Sequence, residues 1–274
     1  MYICVTNALY MCLQCIIYEH KEIFSTILDL LSTERERLWE AISSTMEEMR
    51  TFVEGDEGLW AMEIKHGGGD VHKNTRLVAS SIVSLKKTIL LTPNFLRSDN
   101  NFNLDVLIDK TADYPKDLLL RKSQLCLDPS LRYLFLLNNS YFVASLNLPL
   151  YLRFVILEHA PECKMYMDSY LDASWGPVLS CIAKSNFPGP IRRWINTSSL
   201  AKFESAFHKT YQAQKFWKVP DPCLRYVLQS AITRRVGSGY RDYLEEHPEL
   251  EKHVGRESSS PEVLEEMLGE LFEG

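Results

Sequence analysis

Apolar residues recur at steps of three and four along most of this chain, whereas sustained alternation of apolar and polar residues is hard to find. The clearest run extends from Ile23 to Val53, with Glu and Arg between the apolar positions. This spacing gathers apolar side chains on one face of a helix. The sequence therefore predicts an all-α fold with long amphipathic helices.

Helix starts are marked at three places by a capping residue followed by proline, at residues 128–129, 221–222 and 260–261. The side chain of an N-cap residue accepts hydrogen bonds from N–H groups of the first turn, and proline suits the first helical position. New helices are therefore expected at Pro129, Pro222 and Pro261.

A stretch rich in Asn and Asp divides the helical pattern in two. Residues 93–112 follow a helix that Thr92-Pro93-Asn94 closes, and they form the expected long loop or boundary. The sequence thus predicts a helical bundle over residues 1–92 and C-terminal helical bundles over residues 113–274. No short internal repeat is found.

The apolar segment 131–144 contains two neighbouring asparagines, Asn138 and Asn139. At about 100° per residue, Asn138 lies in the middle of an apolar helix face, and Asn139 falls in a narrow polar wedge. A buried amide without partners costs roughly 1–3 kcal/mol. We therefore expect Asn138 to hydrogen-bond to a neighbouring helix or its loop, and Asn139 to lie nearer the rim. The alternative is that Asn138 faces a groove.

Composition excludes some classes of function. The formal net charge of -6 argues against extensive binding to nucleic acid, so an anionic partner would need a local basic patch. Seven widely spaced cysteines, an odd number, favour a reducing compartment over a disulfide framework. Residues 1–18 carry no formal charge, but polar residues interrupt them, which favours a buried first helix over a signal sequence or membrane span.

The best sign of an enzyme is the segment His66-Gly67-Gly68-Gly69, which has the form of the oxyanion loop of lipases and esterases. The Gly-x-Ser-x-Gly nucleophile turn that such enzymes need is missing, so a flexible loop between two helices is the simpler interpretation. None of the seven histidines forms a His-Glu-x-x-His pair. We expect no catalytic residue, no metal and no cofactor, and a protein that binds other macromolecules.

Several strings resemble one family in order and spacing. These are residues 134–139 (Leu-Phe-Leu-Leu-Asn-Asn), 169–175 (Ser-Tyr-Leu-Asp-Ala-Ser-Trp), 217–222 (Trp-Lys-Val-Pro-Asp-Pro) and 271–274 (Leu-Phe-Glu-Gly). They are similar to the C-terminal half of the Exo-seventy subunit of the exocyst, in divergent members of its plant branch. Members of that family are usually more than twice this long, so we expect the bundle of residues 1–92 to be N-terminally truncated relative to them.

The resemblance implies an elongated rod of stacked antiparallel helical bundles. It also implies a cytoplasmic protein, peripheral at the plasma membrane, that helps to tether secretory vesicles there during exocytosis. Its expected partners are other exocyst subunits, small GTPases and anionic inositol lipids such as phosphatidylinositol bisphosphate. The alternative is a diverged helical interaction module outside the exocyst, in plant immunity or as a target of pathogen proteins, and the expected truncation of the N-terminal half favours it.

The resemblance also implies a lipid-binding surface, and here the chain departs from the family. The family's Lys-aromatic-aliphatic-Lys pattern matches residues 252–255, so Lys252 is kept, Gly255 replaces the second lysine, and Arg256 follows. Residues 242–274 contain eleven acidic residues against two basic ones. Each basic residue near an anionic membrane contributes about 1 kcal/mol, so lipid binding should be weak.

Other basic residues could contribute to a lipid or partner patch. Arg234 and Arg235 join the candidate lipid site, and a possible basic partner patch comprises Lys184, Arg192 and Arg193.

Two tryptophans are expected to be structural, as Asn138 is. These are Trp175 and Trp217. In the family the helix around Trp175 is generally continuous, and Gly176-Pro177 predicts a kink or restart after that tryptophan.

Overall fold

A computed structural model describes residues 21–55, 57–91, 116–146, 148–182, 191–250 and 260–272, with single positions at 11, 12, 16, 18 and 114. Within these ranges the structure describes the backbone but not the side chains of some residues, including residues 191–195. The α-helices are α1 (Lys21–Glu54), α2 (Glu57–Gly67), α3 (Lys73–Leu91), α4 (Pro129–Ser145), α5 (Ile156–His159), α6 (Pro161–Ser180), α7 (Ile191–Gln214), α8 (Pro222–Glu246) and α9 (Pro261–Gly269). Residues 116–123 are also helical, and 3-10 helices cover Leu150–Val155 and Pro248–Leu250.

The all-α class predicted from the sequence is confirmed, since the described residues contain helices, turns and no strand. They fall into two units, with α1 in the first and α2 to α9 in the second. The unit boundary lies at Gly55, whereas the whole of the predicted boundary at residues 93–112 is outside the described residues. The predicted domain limits therefore stay a prediction.

Helix α1, in the first unit, carries ion pairs one turn apart on its surface. Arg37 lies 2.6 Å from Glu34, and Arg50 lies 3.2 Å from Glu47. The apolar stripe that predicts this helix is present, but its N-terminal half is exposed.

Capping side chains begin the helices of the second unit where the sequence predicts. The carboxylate of Asp128 accepts hydrogen bonds from the N–H groups of Ser130 and Leu131 at the start of α4. Asp221 does the same for α8, and the Ser260 hydroxyl accepts from Val263 at the start of α9. The expected starts at these positions are confirmed.

The core of the second unit is formed where α6 packs against α4, α7 and α8, and where α9 packs on α8. Aromatic rings fill its centre. Trp175 of α6 is fully buried, with its ring centroid 5.8 Å from that of Phe207, and Phe203 stacks on Tyr240 at 4.6 Å. The structural role of Trp175 stays a prediction, which this burial supports.

Helix α6 runs through Gly176-Pro177, so a restart after Trp175 is wrong, whereas the alternative expectation of a kink stays a prediction. The ring of a proline collides with the Cβ of a helical residue before it. Gly176 has no Cβ, and space around that position is open. Pro177 also lies near the end of the helix at Ser180, where the loss of one N–H donor is tolerated more easily.

Among the described residues, no helix is long and apolar enough to cross a membrane.

Candidate interaction surface

Helix α4 is held against two loops of the second unit by its asparagines. The amide nitrogen of Asn138 donates to the carbonyls of Gly69, at 2.7 Å, and Lys218, at 2.8 Å. The predicted partner of Asn138 in a neighbouring loop is therefore confirmed. Trp217 precedes Lys218 and is partly buried against the same core, and its structural role stays a prediction.

Asn139 is fully buried, so its predicted position near the rim is wrong. Its side-chain oxygen accepts from the N–H of His72, at 2.9 Å, and from the hydroxyl of Thr75, at 2.6 Å. Its amide nitrogen donates to Phe135 O at 2.7 Å and Asp70 O at 3.3 Å. The error arises because the start of α3 packs over the narrow polar strip of α4 that contains Asn139.

The glycine loop presents carbonyl oxygens to its neighbours. Gly68 O accepts from the N–H of Lys218 at 2.7 Å, and Gly69 O accepts from Asn138. Both glycines have positive φ values, 58° and 85°, which side chains rarely adopt. An oxyanion site needs N–H donors at this position. The loop instead presents carbonyl oxygens that accept hydrogen bonds from Lys218 and Asn138, and these contacts are structural.

Beside the loop, His72 forms a buried contact with Glu63 and Trp60. Its Nε2 lies 2.7 Å from a Glu63 carboxylate oxygen, and its ring stacks on Trp60 at 3.7 Å between centroids. Its Nδ1 accepts from the N–H of Asn74, which places the proton of the neutral ring on Nε2. Burial lowers the pKa of His72 and outweighs the attraction of Glu63, so the ring is neutral at pH 7.

The basic residues predicted to bind lipid or a partner differ in whether the structure describes them and in what they contact. Lys184, Lys252 and Arg256 lie outside the described residues, as do the side chains of Arg192 and Arg193, whose backbone is in the first turn of α7. Arg235 is half-buried and pairs with Asp172 at 2.5 Å. Arg234 is exposed and forms no ion pair with any described residue.

A groove of about 530 Å³ lies between α8 and α9 and contains Arg234. One wall is a single face of α8, and the other comes from Glu265 and Gly269 of α9. The α8 residues that line it are Tyr226, Gln229, Ser230, Thr233, Arg234, Ser238 and Arg241. Arg241 pairs with Glu265 across the groove at 2.6 Å, and Gln229 donates to Gly269 O at 2.8 Å. These contacts fix the walls relative to each other.

An exposed apolar patch adjoins one end of this groove. The 3-10 helix Leu150–Val155 exposes five large apolar side chains, with Tyr151 at 75%. The ring of Phe154 meets that of Tyr226 edge to face at 6.5 Å, and Tyr226, 65% exposed, also lines the groove. We call the patch and the groove together the aromatic groove. Exposed apolar clusters with polar rims mark interaction sites.

Sequence reasoning singled out Arg234 but missed the rest of the aromatic groove. A local signal existed, because residues 150–155 are nearly all apolar and directly follow Pro149. The pairing of Phe154 with Tyr226 joins positions far apart in the chain, which periodicity does not report.

The buried cysteines of the described residues are weak nucleophiles. Burial raises the pKa of the Cys163 thiol to about 12 and also raises the pKa of Cys126 and Cys223, which removes thiolate character. Among the residues that the structure describes, no group of three His, Cys, Asp or Glu side chains could hold a metal ion.

Comparison with known proteins gives a consistent family. The family model that describes the C-terminal part of the Exo70 component of the exocyst complex matches residues 4–270. The exocyst complex component EXO70B2 of Arabidopsis thaliana is 28% identical over 234 residues, which cover 80% of this chain and 37% of the relative. EXO70A3 of the same plant is 27% identical over 258 residues, covering 86% and 43%.

A third relative, EXO70C1 of Arabidopsis thaliana, is 26% identical over 168 residues, covering 56% of this chain and 25% of the relative. The chain thus spans less than half the length of these relatives. Because the family model matches nearly the whole chain, this protein belongs to the family of Exo70 exocyst complex subunits, in their C-terminal region.

Proposed function

We propose that this chain is a component of the exocyst, a non-enzymatic helical subunit that helps to tether secretory vesicles to the plasma membrane. The observation that carries the proposal is the family match over residues 4–270, together with plant relatives that are named exocyst complex components. In this proposal the protein is cytoplasmic and peripheral at the membrane, its bundles stack into a rod, and it acts through protein surfaces. Other exocyst subunits are its main partners, with small GTPases as further ones.

Co-purification tests the proposal. The affinity-tagged chain, shown to be folded by circular dichroism, is mixed with purified exocyst subunits under mild conditions. We expect at least one subunit to be retained, and a tagged helical protein of similar net charge to retain none. A folded chain that retains no subunit would contradict exocyst membership.

We propose in addition that contact with inositol lipids is weak. The support is the charge of residues 242–274, where eleven acidic residues oppose two basic ones. Sedimentation with vesicles that contain or lack phosphatidylinositol bisphosphate measures this binding. We expect little difference between the two vesicle types. Tight binding that Lys252→Glu abolishes, and that the control Lys65→Glu leaves intact, would show the charge argument to be wrong.

A further inference from the structure

The aromatic groove has a property that family membership does not explain, namely an unpaired arginine next to exposed aromatic rings. Arg235 and Arg241 on the same helix are each paired with a carboxylate, whereas Arg234 forms no ion pair with any described residue. A guanidinium group binds a carboxylate through two parallel hydrogen bonds, which are stronger than bonds between neutral groups. Within the described part of the chain, the guanidinium group of Arg234 therefore remains available to bind an anionic group.

The apolar end of the groove provides an anchor point. Tyr226 and Phe154 form an exposed aromatic pair, and Leu150 and Tyr151 extend the apolar area beyond them. Tyr and Arg are among the residue types that contribute most to binding energy at protein interfaces. Water that covers these rings is released when an apolar side chain of a partner packs on them.

We propose that the aromatic groove binds a segment of a partner protein that carries an apolar anchor residue and an acidic residue at a fixed spacing. The apolar residue packs on Tyr226 and Phe154, and the acidic residue pairs with Arg234. The inference does not depend on exocyst membership, because it rests on this surface alone.

The spacing follows from the helix. Tyr226 and Arg234 are eight positions apart on α8, and eight positions correspond to roughly 12 Å along a helix axis. An extended chain covers that distance in about three to four residues. The hydroxyl groups of Ser230 and Thr233 line the interval and can bond to the backbone of an extended segment. A partner should therefore place its acidic residue three or four positions from its apolar anchor.

The same charges disfavour a membrane as the occupant. Recognition of anionic lipids needs clusters of about four to eight basic residues. In the groove Arg241 is already paired, and Glu265 adds negative charge beside it. Among the described residues of the groove, Arg234 is the one cation without an ion pair, and a single cation in a concave site suits one carboxylate better than a flat anionic surface.

Selection from a displayed library of random dodecapeptides against the immobilised full chain tests the proposal. We expect the enriched peptides to share an aromatic or large aliphatic residue and an Asp or Glu three or four positions away. Synthetic, fluorescein-labelled versions then give dissociation constants by anisotropy. Arg234→Glu and Tyr226→Ser should each weaken binding at least about tenfold.

Control substitutions outside the groove show whether a loss of peptide binding is specific to the groove residues. Lys209→Glu changes an exposed charge, and Phe216→Ser removes an exposed ring, both outside the groove. Neither should alter the dissociation constant. Because Arg234 is exposed, Arg234→Glu should keep the thermal midpoint of the parent within about 2 °C. Tyr226→Ser loses the ring contact with Phe154 and should lower the midpoint by no more than about 4 °C. A marked loss of stability would instead indicate that another part of this chain covers the groove, and would overturn the proposal.

Charge reversal gives the sharpest outcome. Selection against the Arg234→Glu protein should enrich Lys or Arg at the position where the parent enriches Asp or Glu. Enriched peptides without a charge preference, or the same peptides from both proteins, would contradict the proposal. Vesicle binding that depends on Arg234, with no peptide enriched, would assign the surface to membranes instead.

Discussion

Asn139 joins the start of α3 to the middle of α4 through one side chain. It forms hydrogen bonds to His72, Thr75, Asp70 and Phe135 while fully buried. A buried polar group that loses its partner costs about 1–3 kcal/mol, so the groups around Asn139 depend on it.

We predict that Asn139→Ala lowers the free energy of unfolding by about 2–3 kcal/mol, since it leaves the N–H of His72 and the Thr75 hydroxyl without their acceptor. Urea unfolding followed by circular dichroism measures the change. The control Gln212→Ala, at an exposed helical position, should change the value by no more than about 0.5 kcal/mol. Equal stability of the two variants would contradict the role assigned to Asn139.

The buried His72 should make the free energy of unfolding depend on pH. Its pKa in the folded protein lies below the ordinary value of 6.5, because burial disfavours the charged ring more than Glu63 favours it. The unfolded chain therefore binds the proton more readily, and the free energy of unfolding should fall as the pH drops from about 7.5 towards 5.5.

The groups that face His72 determine the lower limit of this pH window. Glu63, which also pairs with Lys73, has a pKa below its ordinary 4.5, because these two partners outweigh the effect of burial on its carboxylate. Stability from Glu63 is therefore lost only below about pH 4.5. His72→Phe should remove part of the slope between about pH 7.5 and 5.5, and the control Gln212→Ala, which changes no titratable group, should not. An unchanged slope in His72→Phe would refute the assignment.

At the scale of helices, the features that could be predicted correctly from the sequence depend on local interactions. Asp128, Asp221 and Ser260 cap helices because each side chain bonds to N–H groups two or three residues further on, which the sequence alone determines. Asn138 was placed correctly because it lies on an apolar face. Asn139 was not, because the segment that covers it comes from the distant residues 70–75.

Pro177 should reduce the stability of α6. It sits inside α6 and removes one backbone donor, and Gly176 makes the helix possible at that point. Replacement Pro177→Ala should restore the hydrogen bond and raise the free energy of unfolding by about 1–3 kcal/mol.

Thermal and urea unfolding of Pro177→Ala check this value. The control Gly176→Ala keeps the proline and gives it a Cβ neighbour, so it should lower stability although the surrounding space is open. A loss of stability in Pro177→Ala would show that the proline is favoured by contacts outside the helix.

At the scale of the molecule, the fold class and the family could be predicted from periodicity and ordered motifs, but the aromatic groove could not. Its parts lie at residues 150–155, 226–241 and 265–269, and only packing of α9 and the 3-10 helix on α8 brings them together. Arg234 looked like its neighbour Arg235 in the sequence. Their difference arises because Asp172 of α6 reaches one and not the other.

The second unit contains its own core, which leads to a last prediction. The buried aromatic and aliphatic cluster extends from Leu134 to Phe272, all within that unit, and the contacts of Asn139 with residues 70–75 are also internal to it. Domains with one continuous core unfold cooperatively. A fragment of residues 55–274 should therefore fold on its own.

The fragment should show one cooperative urea transition, helical circular dichroism and the same loss of stability on Asn139→Ala as the whole chain. It should also bind the selected peptides with the dissociation constant of the whole chain, since the residues of the aromatic groove all lie in the second unit. A gradual transition, or an aggregated fragment, would show that α1 is needed for the fold. A folded fragment with weaker peptide binding would mean that residues before Gly55 contribute to the binding surface.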